Sequence, residues 1–169
     1  GIRVDVKLLR QRQETYANRI CQLKQQFQDV AGTRIDLNDD NAIAWYLYDE
    51  LGLQIPHTTR DGQASVDKHA LKLLSRQHAA VPLIRKYRKN KVLVDASSGL
   101  LNAVHPRSDR IHCHLDPLGA ATGRYSCESP NLQGLPRQLR DVFIADEGHQ
   151  LIEADFSQIE LRVLAHFSN

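Results

Sequence analysis

Apolar positions recur with a helical period over the first stretch of the chain. Leu9, Tyr16, Ile20, Leu23, Phe27 and Val30 are spaced 7, 4, 3, 4 and 3 residues apart, which puts them on one helix face. Asp5 is a fitting N-cap and Gly32 a fitting C-terminal stop. A helix of that length extends roughly 40 Å at 1.5 Å per residue. NDDNAIAWYLYDELG (38–52) predicts a second helix, capped by Asn38 or Asp40 and ended by Gly52. TTRDGQAS (58–65) predicts a loop with an Asp-Gly turn. SVDKHALKLLSRQH (65–78) predicts a third helix with Ser65 as its cap, and Pro82 suits the first turn of a fourth.

Beyond Pro106 the texture changes. RIHCHL (110–115) alternates and predicts a strand with His112 and His114 on one face and Cys113 on the other. His-x-His can ligate a metal, but no third ligand follows at short spacing. The segment from Asp116 to Arg140 is rich in Gly, Pro and Ser and predicts a long shaped loop. Its Arg124, Asn131, Gln133, Arg137 and Arg140 carry donors suited to phosphates and sugar edges. DVFIADEGHQLIEADF then predicts two short strands around a turn at Asp146–Gly148. The second strand, Leu151 to Asp155, delivers a carboxylate at its end, with Glu153 on the same face. Ser157-Gln158-Ile159-Glu160 matches a capping box that starts a helix, and Ile159, Val163, Leu164 and Phe167 give that helix an apolar face.

Composition narrows the class. The chain has 169 residues, 41% of them hydrophobic and 25% charged, in the range of one soluble globular unit or part of a larger one. Apolar runs fall far short of the ~20 residues of a membrane helix, and GIRVDVKLLR has no signal-peptide core. Cys21, Cys113 and Cys127 form no CxxC and no disulfide framework, which suits free thiols in a reducing compartment. The net charge of +2 hides an asymmetry. Between Lys68 and Val94 there are eight Lys and Arg and no Asp or Glu, whereas the C-terminal third is acidic. A solvated helix face explains such a run; contact with a polyanion is the other reading. A strand-end carboxylate such as Asp155 can hold a divalent ion beside substrate phosphates, although turn and cap roles are open to it too.

The words of the chain are familiar in combination. DFSQIELR (155–162) closely resembles motif A of the family A DNA polymerases, and TGRYS (122–126) and PNLQGLPR (130–137) resemble segments that precede it there. GIRVD, LNDDNAIAWYLYDELGL, TRDGQASVD and RKYR resemble the thumb region, in order, so the likeness spans essentially the whole chain. It implies an α+β fold: a helical thumb over residues 1–105, then the first antiparallel strands of an incomplete palm over 106–169. It implies that Asp155, with the Phe156 carbonyl, binds two catalytic Mg²⁺ ions. It implies that Glu160 is the steric gate against a 2′-hydroxyl, with Phe156, Gln158 and Arg137 also at the nucleotide. It implies that Arg124 reads the minor groove near the primer terminus, and that Arg88, Asn131, Gln133 and Arg140 contact DNA. The implied partners are primer–template DNA and deoxynucleoside triphosphates, in a monomeric, cytoplasmic parent of bacterial or phage origin, with no membrane.

Departures from the family pattern accompany the likeness. The segment between Pro136 and Phe143 is shorter than usual, Val92 stands in the usual Lys place, and Cys127 stands where Ser is common. The fingers helix and the second metal-binding Asp of motif C are not in these residues, so the chain is expected to be an N-terminal piece of a polymerase domain, inactive by itself. A non-catalytic module that binds primer–template is the alternative.

Overall fold

The computed structural model describes residues 1–168. Two long helices form its spine. Helix α1 runs Val6–Ala31 and α4 runs Ala80–Ala103. Leu23 and Phe27, late in α1, share a core with Val81, Ile84 and Tyr87, early in α4. Leu9, early in α1, shares another with Leu100, late in α4. The two helices are therefore antiparallel. Both predicted caps of α1 are present: the Asp5 carboxylate accepts from Leu8 N at 2.9 Å, and Gly32 turns left-handed (φ +66°) while its N–H bonds Gln28 O. Of the predicted stripe, Leu9, Leu23 and Phe27 are buried and Tyr16 and Ile20 half-buried, but Val30 is exposed, and Ala31 packs against the tip core in its place.

The tip of the hairpin is closed by short elements. Helix α2 (Asp40–Ala44) is capped by Asp39, whose side chain accepts from Asn41 N at 2.9 Å. The predicted single α-helix over 38–52 instead widens into a π-helical turn over Trp45–Glu50, with Leu51 N bonding Tyr46 O. The widened turn carries Tyr46 and Leu47 inward beside Ile43 of α2, while Trp45 stays 48% exposed. The Asp-Gly loop is present, bridged at Thr58 and Ala64 with Gly62 at φ +78°. Helix α3 (Lys68–Leu74) is shorter than predicted, and its cap is Asp67, not Ser65. The Asp67 carboxylate accepts from Ala70 N at 2.7 Å, whereas Ser65 is buried, with its carbonyl accepting from the Tyr48 hydroxyl. Ser65 precedes the helix entry, and its hydroxyl accepts from Asp67 N at 3.3 Å instead.

The base is a small antiparallel sheet. Strands β1 (Ile2–Val4), β2 (Val104–His105), β3 (Arg110–Ile111) and β6 (Phe143–Ile144) take the order β2-β3-β1-β6. Val4, Leu9, Leu100, Ile111, Leu139 and Val142 form the core beneath it. Arg110 clamps Asp146 in a two-pronged ion pair, which with Arg3 holds that carboxyl below its ordinary range. The predicted strand over 110–115 is broken in two. Arg110–Ile111 pair with β1 and β2, while β4 (His114–Asp116) pairs with β5 (Ser126–Glu128) in a separate ribbon. His112 and His114 therefore do not share one strand face. The α+β class stands.

Asp67 generates a pH prediction. Donation from Ala70 N, then from His57 at 3.1 Å, brings its carboxyl to about 2 from an ordinary 3.8. A carboxyl depressed in the folded state stabilises the fold above its unfolded value and loses that contribution as pH falls towards about 2. Asp67→Asn keeps a capping oxygen but cannot titrate. Urea unfolding of the variant should lose less stability between pH 4 and pH 2 than the parent; equal losses would show that Asp67 is not the titrating group.

Candidate functional site

The long loop earns its shape from a few local bonds. In β4 the Asp116 carboxylate accepts from Leu118 N at 2.8 Å, which starts the turn. Gly119 then passes so close to β5 that a Cβ there would lie 1.9 Å from Ser126 Oγ and 2.9 Å from Ser126 Cβ, so only glycine fits. Arg124 and Tyr125 lead directly into β5. After β5 the Cys127 thiol is buried; it accepts from Leu132 N at 3.4 Å and donates to the Pro130 carbonyl at 3.5 Å. Asn131 Oδ1 accepts from Gln133 N and Gly134 N at 2.9 and 3.3 Å, and Gln133 Nε2 donates to the Tyr125 carbonyl at 2.9 Å. Asn131 and Gln133 thus spend polar atoms on bracing the loop against β5. A thiol as keystone of this turn is a role the sequence reading missed; the only signal was Cys127 in place of the usual Ser.

The carboxylate segment is built differently from its prediction. Residues 151–155 form no strand, because β6 ends at Ile144 and no described strand lies beside them to share a ladder. Asp155 and Phe156 are exposed on an irregular stretch. The capping box is also absent. Gln158 adopts the left-handed region (φ +53°) as the cap of α5 (Ile159–Phe167) and makes no side-chain cap bond. That turn takes Ser157 off the helix axis, and its carbonyl accepts from Arg162 Nε at 2.9 Å. Glu160 does not reach back to Ser157. It forms an ion pair with Arg124, from 36 residues upstream, because a guanidinium is a stronger partner than a backbone N–H.

The predicted residues therefore fall into groups. Arg124 meets Glu160 directly, and Asp155, Phe156 and Gln158 lie immediately before Glu160 in the chain. Asn131 and Gln133 brace the loop that carries Arg124. Arg137 and Arg140 lie in the 3₁₀ turn Arg137–Val142, exposed, with Arg140 3.9 Å from Glu153. Arg88 sits apart at the helical tip, where it pairs with Asp40 and donates to the Val66 carbonyl at 2.6 Å. Among the described residues no three His, Cys, Asp or Glu are gathered as a metal cluster. Asp155 and the Phe156 carbonyl are hard oxygen donors of the kind Mg²⁺ prefers, and one carboxylate supplies part of such a shell.

Comparison with known proteins gives this geometry its context. The family model described as DNA polymerase family A matches residues 6–169. The DNA polymerase I of Caldicellulosiruptor bescii is 38% identical over 175 residues, covering 99% of this chain and 20% of that protein. The thermostable DNA polymerase I of Thermus aquaticus is 38% identical over 176 residues, covering 99% and 21%. The chain thus spans about a fifth of the length of these curated relatives. Among solved structures, the POL domain of Pol1 from M. smegmatis, in complex with DNA primer-template and dNTP, superposes with a TM-score of 0.90 at 34% identity, covering 99% of this chain and 31% of that one.

The close pass of Gly119 yields a prediction about the loop. Gly119→Ala should destabilise the chain by about 1–3 kcal/mol through overpacking against Ser126. Adding Ser126→Gly should recover part of the loss, read by chemical denaturation. A lone Gly119→Ala with unchanged stability would show that β4 and β5 separate freely.

Proposed function

This chain belongs to DNA polymerase family A, and from that membership we propose that it forms the thumb (residues 1–105) and early palm (106–169) of a template-directed DNA polymerase that extends a primer with deoxyribonucleotides. The observation that carries the reading is the meeting of Arg124 with Glu160, immediately after Asp155 and Phe156, in a chain matched to the family over residues 6–169. Extension is assigned to the longer polymerase of which these residues are a part, and the chain alone is proposed to be inactive.

Each residue has a chemical task in this proposal. The Asp155 carboxylate and Phe156 carbonyl hold Mg²⁺. A metal held by these two groups would supply charge neutralisation at the transferred phosphoryl group and a lowered pKa for the attacking hydroxyl. Glu160 packs its carboxylate against the sugar of the incoming nucleotide, where a 2′-hydroxyl would collide. Arg124 donates to purine N3 and pyrimidine O2, acceptors that every correct base pair presents in the minor groove, so it tests geometry without reading sequence. Arg137 and Gln158 attend the nucleotide. Asn131, Gln133 and Arg140 contact the DNA backbone from the braced loop and the 3₁₀ turn. Arg88 contacts DNA from the thumb tip, where Asp40 and the Val66 carbonyl hold its side chain in place.

The acid-free stretch from Lys68 to Val94 favours a second reading, a module that binds primer–template without catalysis. Extension assays separate the two. In the polymerase containing this chain, Asp155→Ala should lower the extension rate on the order of 10³-fold, the equivalent of several kcal/mol of lost charge stabilisation. Wild-type rates in that variant would leave only the binding reading. Glu160→Ala should raise incorporation of ribonucleotides relative to deoxyribonucleotides, measured by single-nucleotide extension; an unchanged ratio would remove the gate assignment.

A further inference from the structure

The basic stretch at Lys68–Val94 is not uniform in the fold. Arg85 donates to Ser75 Oγ at 2.8 Å, Arg88 is held by Asp40, and Lys91 is paired with Asp95 four residues on. Lys86 and Lys89, like Lys68, Lys72 and Arg76, have no carboxylate partner among the described residues. Lys86 and Lys89 lie beside Arg19 of α1, which has none either and whose guanidinium reaches the Gln22 carboxamide at 3.2 Å. These three cations converge where α1 passes α4. With Asn90, Leu93 and Gln138 they line a surface groove of about 370 Å³. A second depression of about 400 Å³ shares Arg19 and Asn90 and adds Tyr16 and Gln22. No carboxylate lines either one.

Three cations without counter-charges repel one another. Lys86 and Lys89 are i,i+3 neighbours, roughly 5–6 Å apart at Cβ, so the repulsion is local and an anion between them relieves it. The carboxamides of Gln22, Asn90 and Gln138 add donors and acceptors suited to phosphate and sugar oxygens. Tyr16, half-buried against the base core, adds the exposed part of an aromatic ring to the wall. One compact anion would occupy one depression. Two depressions that share a wall suit a linear polyanion. The groove is also separate from the residues assigned to extension. Lys86 and Arg88 are two steps apart on α4, about 200° around the helix, so the groove faces away from the Arg88–Asp40 bracket.

We propose that the α1–α4 groove is a second nucleic-acid site, which binds the backbone of a single strand through Arg19, Lys86 and Lys89. The inference rests on the reading that this chain handles DNA, but it uses none of the residues assigned to primer extension.

Lysine acetylation by an N-hydroxysuccinimide ester, read by mass spectrometry on the whole chain with and without an oligothymidylate, tests it directly. Lys86 and Lys89 should be protected about threefold or more at low salt, with Lys7 unchanged. Inorganic phosphate at the same phosphate concentration should give no such protection; equal protection would reduce the groove to a small-anion site and overturn the proposal. In parallel, Lys86→Gln with Lys89→Gln should flatten the log–log salt dependence of single-strand affinity by about 1.4, two phosphate contacts at about 0.7 each. Circular dichroism of the double variant should match that of the parent. An unchanged slope, equal acetylation with and without the oligonucleotide, or no single-strand binding at low salt overturns the second site. The polymerase assignment is decided separately, by the Asp155→Ala extension rate.

Discussion

Everything in this structure hangs on the apolar seam between α1 and α4. The seam is continuous with two separate cores, one at each end. At the tip, Leu23 and Phe27 meet Val81, Ile84 and Tyr87, and α2, the π-helical turn and α3 close over them. At the base, Leu9 meets Leu100 beneath the four-stranded sheet. Neither core is large. Each relies on the helices to hold its halves in register, so a change of pitch or rotation at the seam would be felt at both ends. The polar details follow the same logic. Ser97 is fully buried on α4, and its hydroxyl turns back to the Val94 carbonyl, so the seam closes without an unpaired group there.

The loop between β4 and Arg140 solves a different problem. It must hold an irregular path without a core of its own. It does so by spending side chains on backbone: Asp116 on Leu118, Asn131 on Gln133 and Gly134, Gln133 on Tyr125, and the Cys127 thiol on Pro130 and Leu132. Arg124 stands at the edge of this braced frame and is free to choose a partner outside it. That partner is Glu160, through an exposed ion pair of the kind that contributes at most about 1 kcal/mol. A bond so weak positions two side chains without committing them, which suits the substrate contacts proposed for both.

Much of this was legible in the order of residues, and the exceptions have physical causes. The first long helix was plain from periodicity, with Asp5 and Gly32 marking its ends correctly, and Pro82 marked the start of the other. Short elements were harder. Asp39 and Asp67, rather than Asn38, Asp40 or Ser65, cap α2 and α3, because neighbouring polar residues all satisfy a cap pattern and only packing selects among them. The π-helical turn at Trp45 came from tertiary demand to bury Tyr46 and Leu47 side by side, which no period reports. The strand over 110–115 failed because its two halves serve different sheets. The capping box at Ser157 failed because Glu160 found a partner 36 residues away, and local pattern has no access to that. The family likeness named the motifs that carry the candidate site; it gave no sign of the groove at Arg19, Lys86 and Lys89, which depends on two helices crossing.

Strand β1 sits in the interior of the base sheet, with β3 on one side and β6 on the other. Its partners pair Ile2 with Ile111 and Val4 with Phe143, so residues at the start of the chain wait for residues more than a hundred positions later. During synthesis α1 and α4 can find one another through their own seam, and the tip can close behind them. The sheet cannot. β1 precedes both of its partners, so the base sets the slow, long-range step of folding; one edge of β1 stays open to a wrong neighbour until Ile111 is made, and the other until Phe143.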